Sequence, residues 1–380
     1  MERRDFLRGV GASVLSGTAM YLGACSAPSG GEEGMGPNPA PMQASSLPVI
    51  EWRMATSWPN ALDVLQGAAV AIGERLSAMT EGRFTISVFE AGEIVPALEV
   101  LDAVQNRTVE CGHTAAYYFI GKNEAFGIAT SLPFGLTAQQ QNAWLYYGGG
   151  LEAVQKLYRD FGVVSFPAGN TGVQMGGWFK REINTLGDLK ALRFRIPGLG
   201  GRVMQRLGVD TQTLAGGDTY LALDRGAIDA AEWVGPYDDE KLGLNKAARF
   251  YYYPGWWEPG STLDVIINQQ AWDELPRLYQ EIFKAAAYEA NIAMLSEYES
   301  RNQEALDRLV VGGTVLRPYS EEIMVAAQQA AFDLYEETAS ADPAFREVFE
   351  PWKEFRRKIH RWNGTNESTL MRFVTEHPAA

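Results

Sequence analysis

The chain has 380 residues and a formal net charge of −14 at pH 7, from 33 Lys and Arg against 47 Asp and Glu. That length favours two lobes over one ordinary domain, and an apolar fraction of 46% is that of a chain that buries a core. The acidic balance repels a phosphate backbone, so no nucleic acid is expected, but one local arginine can still hold a small anion.

The chain begins with Arg3-Arg4-Asp5-Phe6-Leu7-Arg8 and a weakly apolar, glycine-containing run to Leu22. This is similar to a twin-arginine export signal, and the run is too short and too weak to span a membrane. Leu22-Gly23-Ala24-Cys25 resembles a lipobox, in which the cysteine becomes the lipidated N-terminus; a soluble signal cut elsewhere is the alternative. Residues 1–25 are therefore read as the export signal and 26–47, rich in Ser, Pro, Gly and Ala, as a flexible linker. Cys111 is then a lone thiol, expected as a small buried hydrophobe. Neither the two cysteines nor the three histidines stand at zinc-ligand spacing.

From Pro48 onward strand and helix signals alternate. Strands are predicted over 49–55, 84–89 and 109–114, with helices over 60–79 and 96–106 between them. The rhythm returns with strands at 193–196 and 228–234 and helices at 200–207 and 220–225. Such alternation predicts α/β lobes with mostly parallel sheets, whose ligands lie beyond the carboxyl ends of the strands. Leu278 to Val311 keeps helical spacing for more than thirty residues until Gly312-Gly313 stops it. A helix that long, about 50 Å, can run along both lobes. Residues 341–380 form a tail in which Phe345, Val348, Phe349, Trp352, Phe355, Ile359 and Trp362 make an amphipathic helix. It packs either on its own lobe or across a homodimer.

A set of residues spread along one stretch carries the chemistry. Gln174 closes Asn170-Thr-Gly-Val-Gln174. Arg195 stands in Leu192-Arg-Phe-Arg195-Ile-Pro197. Glu232 and Trp233 follow Asp229-Ala-Ala, and Glu258 ends Pro254-Gly-Trp-Trp-Glu258. A planar guanidinium matches a carboxylate with two parallel hydrogen bonds and stays charged when buried. Arg193 lies on the same strand face, so periodicity does not choose between it and Arg195. Two carboxylates beside an anionic ligand would repel it and each other. The conflict disappears if one is protonated, or if a hard cation with oxygen ligands lies between them. Tyr117 and Tyr118 follow a strand end, where a phenol can meet a carboxylate. Asn170 either touches ligand or shapes a turn, and Trp256 and Trp257 either line the mouth or pack the core. Gly198-Leu-Gly-Gly201 is not a dinucleotide fingerprint, and no nucleophile elbow or Ser-His-Asp order appears.

The order and spacing of these residues resemble the substrate-binding proteins of tripartite ATP-independent periplasmic (TRAP) transporters, in particular the subgroup that binds 2-oxo acids such as pyruvate. The resemblance covers most of the chain from about Trp52 to Trp362. It implies a two-lobe periplasmic binding protein fold with hinge strands and a long lobe-spanning helix. Lobe 1 is expected as 48–172 plus about 261–305, and lobe 2 as 173–260 plus about 306–340. It selects Arg195, just before Ile-Pro, as the anchor of a small monocarboxylate, with Gln174, Trp233, Glu258, Tyr118, Tyr117 and Asn170 around the ligand. Glu232, Trp233, Glu258 and Gln174 would hold a metal cation, which is sodium in related 2-oxo-acid binders and calcium in a related lactate binder. Membrane subunits are the implied partners, and some relatives exchange the tail helix in a homodimer. A metal-dependent lyase or hydrolase using Glu232 or Glu258 as base is the rival, but no further acid–base group accompanies the set.

Overall fold

The computed structural model describes residues 47–378. The expected export signal, its lipobox and most of the expected linker lie outside the described residues. Strands gather in two sheets. The first contains β1 (Ile50–Thr56), β2 (Phe84–Phe89), β3 (Cys111–Thr114), β4 (Val163–Asn170) and β10 (Thr262–Asn268), in the order β2-β1-β3-β10-β4. The second contains β5 (Trp178–Phe179), β6 (Arg193–Arg195), β7 (Asp210–Gln212), β8 (Ala230–Ala231), β9 (Phe250–Tyr253) and β11 (Val315–Pro318), in the order β11-β9-β5-β8-β6-β7. Each sheet is the centre of one lobe.

Both sheets are mixed, where mostly parallel ones were predicted. β1 pairs with β2 and β3 in parallel, but β10 runs antiparallel to β3 and β4, and β5 antiparallel to β8 and β9. The reason is the crossover. The chain leaves the first sheet at β4 and returns to it at β10, so the outgoing and returning strands lie side by side in opposite directions. Their extensions stay paired between the lobes: Thr171 N–H donates to Ser261 O at 3.1 Å and Gln174 N–H to Glu258 O at 3.1 Å. Gln174 and Glu258 therefore face one another within the hinge. The strand predicted over 228–234 is only Ala230–Ala231, because the chain turns into the helix Pro236–Leu242 directly after the site.

The helix Arg277–Val311 spans 35 residues, as its spacing predicts. Its first half buries Tyr279, Phe283, Ala286, Ala287 and Ala290 in the first lobe, where the alanines permit close approach. Its second half reaches the other lobe, where Tyr298 OH donates to Asp238 at 2.7 Å. Gly313, at φ +99°, ends it in a conformation open to glycine. The helix Pro343–Thr365 packs through buried Phe345, Val348, Phe349 and Trp352 against the helix Glu321–Ala341 and residues near 133–150. The helix Glu367–Glu376 that follows buries no residue. Among the described residues no helix is long and apolar enough to cross a membrane.

Candidate functional site

β6 and β8 are parallel neighbours, with Arg195 opposite Ala231, so Arg195 and Glu232 emerge side by side at their carboxyl ends. The ambiguity between the two arginines is resolved by burial. Arg193 is partly exposed and pairs with Asp229 at 2.7 Å, whereas Arg195 is 1% exposed. The Arg195 guanidinium is held on two sides. Its Nε and Nη2 donate to Leu214 O at 3.1 and 3.0 Å, and its Nη1 donates to Glu232 O at 2.9 Å and to the Glu232 carboxylate. Its carbon lies 4.8 Å from the centre of the Trp233 ring. Most of its N–H groups are thus engaged within the protein, and the two-pronged grip expected for a ligand carboxylate requires Glu232 to release Nη1.

Glu258 lies on the hinge side. One carboxylate oxygen, Oε2, accepts from Gln174 Nε2 at 2.8 Å and from Ser261 Oγ at 2.5 Å. Gln174 Nε2 also donates to Thr171 Oγ1 at 3.2 Å. Burial pushes Glu258 up to about 7, against the pull of Ser261, Arg195 and Gln174. Burial also pushes Glu232 well above the carboxylate range; Arg195 opposes this and Glu258 adds to it. Two buried carboxylates thus share one buried cation, a set that is costly without further positive charge. Gln174 Oε1 and Glu232 Oε2 are buried without a hydrogen-bond partner. Unpartnered oxygens beside carboxylates are the donor set a hard cation prefers, so Gln174, Glu232 and Glu258 fit a metal ion. Among the described residues no group of three or more Asp, Glu, His or Cys is placed to hold a metal ion by itself.

Tyr117 and Tyr118 come from the first lobe, in the short turn Ala116–Phe119 beyond β3, with their rings edge to face at 4.9 Å. They line one small cavity together with Gln174, Thr171 and Trp233. Both phenols are pushed up, Tyr118 to about 12, chiefly by burial, so they remain donors. A Cβ on Gly198, at φ +63°, would stand 3.1 Å from that of Tyr117, so the lobes meet closely here. A wider cleft opens on the far side between Ser57, Pro96 and the loop 213–218. That loop supplies Leu214 O to Arg195, and its Gly216 packs on Trp233, where an added Cβ would lie 2.5 Å from the ring.

Other expected residues have other partners. Asn170 is used by the hinge: its amide donates to Gly260 O at 3.3 Å and accepts from Gly172 N–H at 2.9 Å, so its side chain serves the turn. Trp256 and Trp257 are core, packed on Phe134 and Phe194. The sequence reading missed Thr171 and Ser261, and also Trp58 and Leu65, which line the cavity. Trp58 lies just beyond the carboxyl end of β1, the signal that could have found it.

Residues 54–342 match the family model of DctP, bacterial extracellular solute-binding protein, family 7. The chain is 62% identical over 338 residues to a monocarboxylate 2-oxoacid-binding periplasmic protein of Nostoc sp., covering 89% of this chain and 92% of that one. Among solved structures it is similar to a TRAP transporter solute-binding protein of Bordetella bronchiseptica, described as a dimer with copurified calcium and picolinate. That match has a TM-score of 0.86 and 43% identity, over 87% of this chain and 98% of that one. A TRAP periplasmic solute-binding protein of Pseudoalteromonas atlantica, with bound sodium and pyruvate, matches with a TM-score of 0.83 and 36% identity, over 85% and 98% of the two chains.

Proposed function

Because the chain belongs to the bacterial extracellular solute-binding protein family 7, the DctP family, we propose that its site binds a short 2-oxo acid such as pyruvate together with a metal cation. The protein is an extracytoplasmic, periplasmic solute receptor of a TRAP transporter for a small monocarboxylate, and not an enzyme. The observation that carries the finer reading is the buried set of Arg195, Glu232 and Glu258, with the unpartnered Gln174 and Glu232 oxygens, beside the small cavity lined by Tyr117 and Tyr118.

Arg195 would take the ligand carboxylate, its Nη1 turning from Glu232 as the acid enters. Tyr118 and Tyr117 would donate from the opposite lobe, and Trp233 would wall the pocket. Gln174, Glu232, Glu258 and the Trp233 carbonyl would hold the cation, which offsets the excess negative charge. Sodium is the first ion to test, and calcium the second. Ligand contacts from both lobes, taken as 48–172 plus about 261–305 and 173–260 plus about 306–340, favour the closed form, which the membrane subunits would read. Export by the twin-arginine route and lipidation at Cys25 complete the reading; mass analysis of the mature N-terminus tests both. A homodimer through the C-terminal helices fits the uncovered apolar face of Glu367–Glu376.

The test is calorimetry of the chelator-treated protein with pyruvate, in sodium, calcium or neither. Tight binding restored by one ion, and abolished in Arg195→Ala with the fold intact, is expected. Heat that needs no ion, or that survives in Arg195→Ala, would remove the cation or the anchor. Absence of heat under every condition would move the ligand to another acid class.

A further inference from the structure

Four apolar side chains line the cavity beside its polar groups: Trp58, Leu65, Val234 and Leu263. Trp58 and Leu65 come from the first lobe, one just after β1 and the other in the first turn of the helix Asp63–Met79. Both are almost wholly buried. Trp58 is fixed from behind. Its indole Nε1–H donates to His113 Nδ1 at 2.7 Å, and its ring lies 6.3 Å from that of Tyr118. An indole nitrogen only donates, so Nδ1 of His113 must be the acceptor and its proton sits on Nε2. That N–H faces Ala168 O at 3.2 Å, in β4. Burial holds His113 neutral, its pKa down to about 4, so one tautomer persists at physiological pH. The relay ties the Trp58 ring to two strands of the sheet, and the ring cannot swing aside for a longer ligand.

We infer that Trp58 and Leu65 set the length of alkyl chain the site admits, and that His113 is a positioning residue holding Trp58 in place. This rests on the reading of the site as one for short 2-oxo acids. His113 does not line the cavity, so it acts only through the indole.

The test is a calorimetric series of straight-chain 2-oxo acids of about three to six carbons, at saturating cation. In a fitted apolar pocket one surplus methylene costs roughly 10-fold or more in affinity, and the unaltered protein should fall by that factor once the chain outgrows the site. Leu65→Ala should raise the ratio of five-carbon to three-carbon affinity by about 10-fold or more. Trp58→Phe, which shortens the wall while keeping an aromatic ring, guards against a misfolded alanine variant and should shift the ratio the same way. His113→Leu should relax the ratio too, and His113→Gln, which retains an acceptor, should restore part of it. A merely structural histidine would lower the melting temperature and leave the ratio alone. Unchanged ratios in folded Leu65→Ala and Trp58→Phe would overturn the inference while leaving the site reading intact. An unaltered protein that binds none of these acids would overturn that reading, and this inference with it.

Discussion

Glu258 accepts two hydrogen bonds, yet burial leaves its carboxyl at about 7. A cation needs the ionised form, so protons compete with it below that value. Apparent cation affinity should therefore rise with pH, by at most about 10-fold per unit for one competing proton, and level off above 7. Glu258→Gln should flatten that rise and weaken the ion; a slope identical to that of the unaltered protein would show that another group titrates. The same shift has a stability consequence with a definite sign. The folded pKa lies above the unfolded value of 4.5, so the folded state holds the proton more tightly. Its stabilisation is fully present below 4.5 and is lost as pH rises through 7. Asp238 and Asp264, at about 7, and Asp239, at about 6, are raised by burial too and add to the trend. Only the part that a cation restores, and that Glu258→Gln removes, belongs to the site. Melting the chelated and cation-loaded proteins at pH 6 and 8 separates these contributions.

Between the lobes, rim contacts join elements that the chain order keeps far apart. Asp63, at the start of the helix Asp63–Met79, meets Lys241 and Tyr237 of the helix Pro236–Leu242, while Arg301 of the long helix lies 3.5 Å away. On the other side Arg202 pairs with Glu124 at 2.8 Å. These pairs are half exposed, so each is worth about 0–1 kcal/mol and is screened by salt. Asp63→Ala should weaken ligand affinity by about fivefold or less, and less still in high salt. A loss of a hundredfold would mean that Asp63 organises the site rather than the rim. The hinge contributes differently. Because its two crossing segments pair Gln174 with Glu258, the groups proposed to face ligand and ion also sit where the chain crosses between the lobes.

At the scale of the whole molecule, the densest run of exposed large hydrophobics among the described residues lies near the C-terminus. The helix Pro343–Thr365 seals its own body with Phe345, Val348, Phe349 and Trp352, so the tail reading that packs it on its own chain accounts for that half. Beyond it Leu370, Met371, Phe373 and Val374 are at least half exposed along one short helix. An apolar face of this kind is a common mark of association. Removing residues 367–380 should halve the mass seen by light scattering while leaving the monomer folded, since the helix Glu367–Glu376 buries no residue. An unchanged mass would leave the dimer unsupported.

The alternation of strands and helices, the long helix ending at Gly312-Gly313, and the Gln174, Arg195, Glu232 and Glu258 series were legible in the sequence. The first two rest on local periodicity and backbone punctuation, and the residue series rests on its resemblance to the binding-protein family. Three things were decided only by the tertiary structure. The crossover geometry made both sheets mixed and set Gln174 against Glu258, residues 84 apart in the chain. Packing fixed which donors of Arg195 are engaged and gave Asn170 to the hinge. Trp58 and His113 are 55 residues apart, and no spacing rule joins them. Their partnership exists because β1 pairs in parallel with β3, which sets Trp58, just beyond β1, against the His113 ring, and contacts at that range follow from how the sheet folds rather than from any one segment.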